Sequence, residues 1–179
     1  MTPVRSLRTA RLLLEPQLAA HAGAMYAVLS DPAIYEFENA PPASLEWLRE
    51  RFAKLETRRS GDGTEQWLNW VLRQPSGALI GYVQATVQAD GSALIAYELA
   101  SAHWGRGLAS EAVEAMLVEL IAQYGVHTLW AVFKRPNLRS RRLLERLHFQ
   151  AASPEEEQRI GIDADEDLMQ RRATVAGVA

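Results

Sequence analysis

Apolar positions recur along this chain at two spacings, and the places where one gives way to the other predict its elements. Leu7 to Leu14 reads as a strand. From Leu18 the spacing turns helical, with Leu18, Ala22, Met25, Tyr26 and Leu29 on one face and Ser30-Asp31-Pro32 as the stop. A loop carrying Tyr35, Glu36, Phe37, Glu38 and Pro41-Pro42 follows. Ser44 is then a candidate N-cap for a second helix with Leu45, Leu48, Phe52 and Leu55 inward, closed by Ser60-Gly61-Asp62-Gly63. Gln66 to Arg73, Leu79 to Gln88 and Ala93 to Leu99 read as strands. Pro75-Ser76-Gly77 and Ala89-Asp90-Gly91 between them are short enough for hairpin turns, so an antiparallel meander is expected.

Beyond the meander, Ala112, Val113, Met116, Leu117, Leu120, Ile121 and Tyr124 form the apolar stripe of a long helix that stops near Gly125. Leu129 to Phe133 is apolar on both faces, as an interior strand is. A further helix is expected from about Asn137 to Leu147, a short strand at His148 to Ala152, and an edge strand at Leu168 to Val175. The order β-α-α-β-β-β-α-β-α-β-β predicts a mixed α/β sheet. Residues 1–179 read as one domain, since 179 residues with 48% hydrophobic content suffice for a single core.

Charge and composition narrow the function. Lys+Arg 19 against Asp+Glu 22 gives a net charge of −3, with no general attraction to nucleic acid or an anionic membrane. Leu12-Leu13-Leu14 is too short for a signal-peptide core or a membrane span. The lack of cysteine excludes thiolate chemistry and suits a reducing compartment, so a cytoplasmic location is expected. His21, His103, His127 and His148 have no metal-ligand spacing, and no metal is expected. Trp47, Trp67, Trp70 and Trp130 are assigned to packing.

Two blocks carry chemistry. In His103-Trp104-Gly105-Arg106-Gly107-Leu108-Ala109-Ser110-Glu111-Ala112 a glycine-paired turn runs into a helix, where backbone N–H groups can approach an anion and the helix dipole favours negative charge. A turn needing positive φ at its glycines gives the same pattern. In Lys134-Arg135-Pro136-Asn137-Leu138-Arg139-Ser140-Arg141-Arg142, Asn137 sits at a strand-to-helix junction, where its amide caps the helix or meets a ligand, and Ser140 lies one turn further on.

Together the blocks resemble the GNAT superfamily of N-acetyltransferases, which transfer an acetyl group from acetyl-CoA to an amine. The closer likeness is to the branch containing the ribosomal-protein N-terminal alanine acetyltransferases. It covers nearly the whole chain. Arg11-Leu12-Leu13-Leu14, Ile80-Gly81-Tyr82, Ala96-Tyr97-Glu98-Leu99, Trp104 to Ala109, and Asn137-x-x-Ser140 through Leu147-His148-Phe149 stand in the branch's order. The resemblance implies a mixed, mostly antiparallel twisted sheet of about seven strands flanked by four helices. It also implies an acetyl-CoA co-substrate and an amine acceptor, either a peptide N-terminus or a small molecule, in a monomer or homodimer.

By that resemblance, Trp104, Gly105, Arg106, Gly107, Leu108, Ala109 and Ser110 hold the pyrophosphate, and Asn137, Ser140 and Arg142 border the CoA site. Leu99, Ala100 and Ser101 offer main-chain groups to the pantetheine arm, with one N–H as oxyanion donor, a role worth roughly 3–4 kcal/mol in other enzymes. Glu98 is the candidate base if its side chain faces the acceptor; if Tyr97 faces it instead, Glu98 is a surface carboxylate. Ser140 is the candidate acid or thiolate partner, or a helix serine bonding within its own turn. Where the family often has a tyrosine acid, this chain has Leu144, and Leu129 to Phe133 lacks the frequent fifth-strand glutamate. Trp104 replaces a leading Gln or Arg, and His148 a glycine. Without a side-chain base, water carries the proton and positioning supplies the acceleration.

Arg139 or Arg142 is expected at the ribose 3′-phosphate. The carboxylates Glu36 and Glu38 are placed to orient an ammonium, and the acidic Glu155-Glu156-Glu157 and Asp163 to Asp167 segment either draws a cationic amine or is a solvated loop. Two rival readings share the motifs. Gly105-x-Gly107-x-x-Ser110 with Lys134-Arg135 imitates an NADP site of an oxidoreductase, although the loop from Leu99 to Gly105 is longer than such a turn needs. A CoA-binding sensor without turnover fits the missing tyrosine and glutamate.

Overall fold

A computed structural model describes residues 3–37 and 39–173. Strands β1 (Leu7–Arg8) and β2 (Leu13–Pro16) replace the single first strand expected. They pair antiparallel, Leu7 with Leu14, because a tight turn with Thr9 N–H donating to Leu12 O at 2.9 Å reverses the chain. After a 3₁₀ turn at Ala19–His21 come α1 (Ala22–Leu29) and α2 (Leu45–Glu56), the latter capped as expected by Ser44 accepting from Trp47 N–H.

The meander is β3 (Glu65–Arg73), β4 (Leu79–Gln88) and β5 (Ser92–Leu99), antiparallel throughout. Then follow α3 (Leu108–Tyr124), β6 (Thr128–Lys134), α4 (Leu138–Arg146), β7 (Gln150–Ala151), α5 (Pro154–Ile160) and β8 (Glu166–Arg172). The sheet has eight strands in the order β1-β2-β3-β4-β5-β6-β8-β7, and five α-helices lie among the described residues. Only β5 and β6 run parallel, so the doubly wound sheet of the NADP reading is not what this chain forms.

Two further elements differ from the expected order. The last strand is not an edge: β8 inserts between β6 and β7, pairing Trp130 with Gln170 on one side and Gln150 with Gln170 on the other. Its expected end at Val175 falls outside the described residues. The acidic segment is partly helical, because Ser153 and Glu156 form a reciprocal capping box, Pro154 starts α5 and Gly161 ends it.

Alternation along β4 sorts the two sheet faces. Val83, Ala85 and Val87 join Leu68, Trp70 and Leu72 of β3 in the larger core beneath α3, with Met116, Leu117 and Leu120. The opposite face carries Val71 and Tyr82 against a smaller core of Ala22, Met25, Leu29, Leu48 and Phe52 beneath α1 and α2. The decisive feature for function is where pairing stops. β5 and β6 are registered only over Ser92–Leu94 and Thr128–Trp130, while β4 accompanies β5 as far as Leu99. The sheet therefore parts between Ile95–Leu99 and Ala131–Phe133.

Candidate active site

The parting opens a cavity of about 920 Å³ that runs through the sheet from the α3–α4 side to the α1–α2 side. Its lining contains Leu99, Trp104, Gly105, Gly107, Leu108, Ala109, Ser110, Asn137, Ser140, Arg142 and Glu98. Ala100, Ser101 and Arg106, from the same expected set, are not among the lining residues.

On one side stands the start of α3. Gly105 and Gly107 adopt φ of 71° and 73°, a region closed to most side chains, and Gly107 is the N-cap. No side chain caps this helix, and its first intrahelical bond runs from Glu111 N–H to Gly107 O. The N–H groups of Leu108, Ala109 and Ser110 thus keep no helical partner and point out of the helix end with the positive end of its dipole. The loop is fixed from behind. Arg11 donates to the Arg106 carbonyl at 2.8 Å and to Glu111 at 2.6 Å, and Thr9 donates to Glu111 at 2.6 Å.

Trp104 does more than lead the loop. Its indole N–H donates to Leu99 O at 2.9 Å, and the Arg139 guanidinium lies 3.8 Å from its ring centroid. Of the three main-chain N–H groups at the positions expected to offer contacts, two are engaged. Ala100 N–H donates to Ile80 O at 2.9 Å, and Ser101 N–H donates to the Asp31 carboxylate at 2.7 Å. Because Ala100 and Ile80 form a hydrogen-bonded pair, the neighbouring pair Leu99–Gly81 is a narrow one, and the Leu99 N–H turns away from β4 toward the gap.

Residues Tyr97 and Glu98 point to opposite faces. The Tyr97 phenol joins the larger core and lies against the Ser140 hydroxyl; burial pushes its pKa up to about 12, with Ser140 opposing the rise. Glu98 stands across from Tyr82 on the α1–α2 side. Tyr35, also pushed up to about 12, owes this first to burial and then to the charges of Glu98 and Asp31, which places the Glu98 carboxylate within reach of Tyr35.

At α4, Asn137 acts as N-cap, its side-chain oxygen accepting from Ser140 N–H at 3.1 Å. Arg139 is engaged by aromatic and acidic partners at the cavity. It is sandwiched between Trp104 and Phe37 and donates to Glu36 at 3.3 Å, so it spans the cavity rim. Arg146 donates to Ser110 Oγ at 3.2 Å, beside the α3 start, an approach that no local sequence pattern signals. The acidic segment is not directed at the cavity: Asp163, Asp165 and Glu166 surround Lys134, and Asp167 pairs with Arg135 and Arg141. Lys134 and Arg135 are thereby paired with the carboxylates of this segment. Trp47 is not packing alone, being 44% exposed and part of the cavity lining, and Glu38 lies outside the described residues.

Among the described residues, no group of three or more His, Asp or Glu side chains is placed to hold a metal ion, and no helix is long and apolar enough to cross a membrane.

The family model of the acetyltransferase (GNAT) domain matches residues 11–150. An uncharacterized N-acetyltransferase of Bacillus subtilis, YoaA, is 27% identical over 150 residues, covering 80% of this chain and 82% of that protein. A Bordetella pertussis structure provisionally assigned to the GnaT acetyltransferases is 28% identical with a TM-score of 0.72, over 94% of this chain and 99% of the other. RimL, a ribosomal L7/L12 alpha-N-protein acetyltransferase solved with coenzyme A, shares the fold at a TM-score of 0.76 and 15% identity, over 95% and 96% of the two chains.

Proposed function

The chain belongs to the acetyltransferase (GNAT) family and performs acetyl-CoA-dependent N-acetylation, and from that premise we propose how its residues divide the work. Bound acetyl-CoA supplies the acetyl thioester that the acceptor amine attacks. The N–H groups of Leu108, Ala109 and Ser110 hold the pyrophosphate at the α3 N-terminus, where oriented donors and the dipole favour two adjacent negative charges. Arg142, exposed on the cavity wall, and Arg146, beside Ser110, supply the cationic contacts to the remaining phosphates. The Leu99 N–H is the oxyanion donor. Trp104 positions it by holding the carbonyl of the same residue.

Glu98 takes the proton from the ammonium form of the acceptor, and Ser140 donates a hydrogen bond to the departing thiolate. A carboxylate on the α1–α2 side and a hydroxyl on the α3–α4 side fit a reaction that runs through the gap, with the amine arriving from one face and the thiol leaving by the other. One observation carries this reading: the uncapped α3 start, the Leu99 N–H, Glu98 and Ser140 all border a single cavity where β5 and β6 part. The acceptor is either a protein N-terminus or a small-molecule amine. The cysteine-free composition suits the cytoplasm, where we place the protein.

The test is calorimetric titration of CoA into the wild type and Gly107→Glu. At φ of 73° a side chain strains the turn that presents these N–H groups, and its carboxylate, built toward Arg11, competes for the guanidinium that braces the loop. A folded variant with unchanged affinity refutes the cradle.

A further inference from the structure

We propose that the acceptor is a compact primary amine with an aromatic or branched aliphatic body, an inference that rests on the acetyltransferase reading above. The half of the cavity on the Glu98 side descends between α1, α2 and β4, and Leu29, Ile34, Leu48, Phe52, Leu55 and Tyr82 form its walls. Charged side chains lining this half, among the described residues, are Glu98, Arg51 and, at its boundary, Arg139. A single carboxylate suits one ammonium.

The depth of the pocket follows from the register. Glu98 stands opposite Tyr82, and Gln84, which also lines the cavity, is two residues further along β4. With about 3.4 Å of rise per residue and about 4.8 Å between strands, the two positions are separated by roughly 8 Å. A ring on a two-carbon arm spans that distance with its amine at Glu98. Gln17, 2% exposed, lies on the same lining with its Nε2 lacking a hydrogen-bond partner among the described residues, so the floor has a donor for one polar atom at the far end of the body.

Other amines fit less well. A polyamine brings further ammonium groups among apolar walls and toward Arg51, where burial and like charge both oppose them. An extended peptide brings more main-chain N–H and C=O groups than the few polar side chains of this lining, Gln17, Asn39 and Gln84 among them, can pair. Its chain must also leave past the rim, where Arg139 joins Trp104 to Phe37 and Glu36.

The experiment uses the full chain saturated with CoA, whose own binding is measured first, so that loss of cofactor binding is recognised separately. Phenethylamine, spermidine and a short peptide with N-terminal alanine are then titrated calorimetrically, and thiol release from acetyl-CoA is followed with the same amines. Phenethylamine is expected to bind about tenfold or more tightly than the other two, from the burial of its ring. Trp47→Ala, which removes an exposed aromatic at the mouth, is expected to weaken phenethylamine several-fold and leave CoA affinity unchanged. Tighter binding of spermidine or the peptide, or no change in Trp47→Ala, overturns the pocket assignment while CoA binding and thiol release keep the acetyltransferase reading. Failure of every amine to bind the CoA-loaded protein overturns the assignment as well.

Discussion

Gly81→Ala concentrates its effect on the reacting strand. Gly81 faces Leu99 in the narrow pair, and a methyl built on it overlaps the Glu98 carbonyl oxygen and lies 2.9 Å from Leu99 Cα and 3.0 Å from Glu98 C. All these atoms are backbone, so relief requires β5 to move away from β4 by about 1 Å at the point that carries Glu98 and the Leu99 N–H. Overpacking of this kind costs about 1–3 kcal/mol. For a domain of this size, a loss of about 2–4 °C in Tm per kcal/mol gives a decrease of roughly 2–12 °C. The same displacement costs about 100-fold in rate if the two groups act where we place them. Thermal melting, CoA calorimetry and thiol release on one preparation separate these effects, since the pyrophosphate contacts lie on α3 and change less. A folded Gly81→Ala protein with wild-type turnover refutes the placement of Leu99 and Glu98 at the reacting atoms.

Glu98→Gln should lower the rate most where the acceptor is still protonated, with the deficit shrinking above the pKa of the amine; an unaltered pH–rate profile removes Glu98 from the mechanism. His148 holds φ of 63° at an exposed position after α4, so His148→Gly should stabilise by about 0.5–1 kcal/mol, the relief of left-handed strain outweighing the added freedom of the unfolded chain. A lower Tm for that variant contradicts it. Asp31 is held below its ordinary pKa by hydrogen bonds from the Ser101 hydroxyl and N–H. Its contribution is therefore complete above the unfolded value near 3.8 and is lost as the pH falls through the lower folded value. Urea unfolding should show Asp31→Asn less stable than wild type at pH 7, with the difference fading below about pH 4; a constant difference argues against the linkage.

Much of this architecture was legible from periodicity and turn chemistry. The meander, Ser44 as a cap and the long helix behind Gly107 follow from local rules, and the structure places them within a few residues of expectation. The first strand was harder, because no glycine or proline marks a turn between Leu7 and Leu14 and the reversal depends on one threonine. The α5 helix did carry a signal in Ser153, Pro154 and Glu156, which the density of carboxylates obscured. The position of β8 had none, since a strand's neighbours are chosen by distant residues. At the site, glycines and Asn137 announced themselves by spacing. Arg139 did not: its sequence neighbourhood reads as a basic helix face, and only the fold brings Trp104, Phe37 and Glu36 around it.

The insertion of β8 between β6 and β7 has a bearing on biosynthesis. During translation the β6 segment emerges before the strand that will cover its far side, and Thr128, Leu129, Trp130, Ala131 and Phe133, all buried once folding is complete, wait without a partner there until Glu166–Arg172 arrives. Until Glu166–Arg172 emerges the far edge of β6 has no ladder partner, so a chain arrested before residue 166 is expected to aggregate more readily than the full chain.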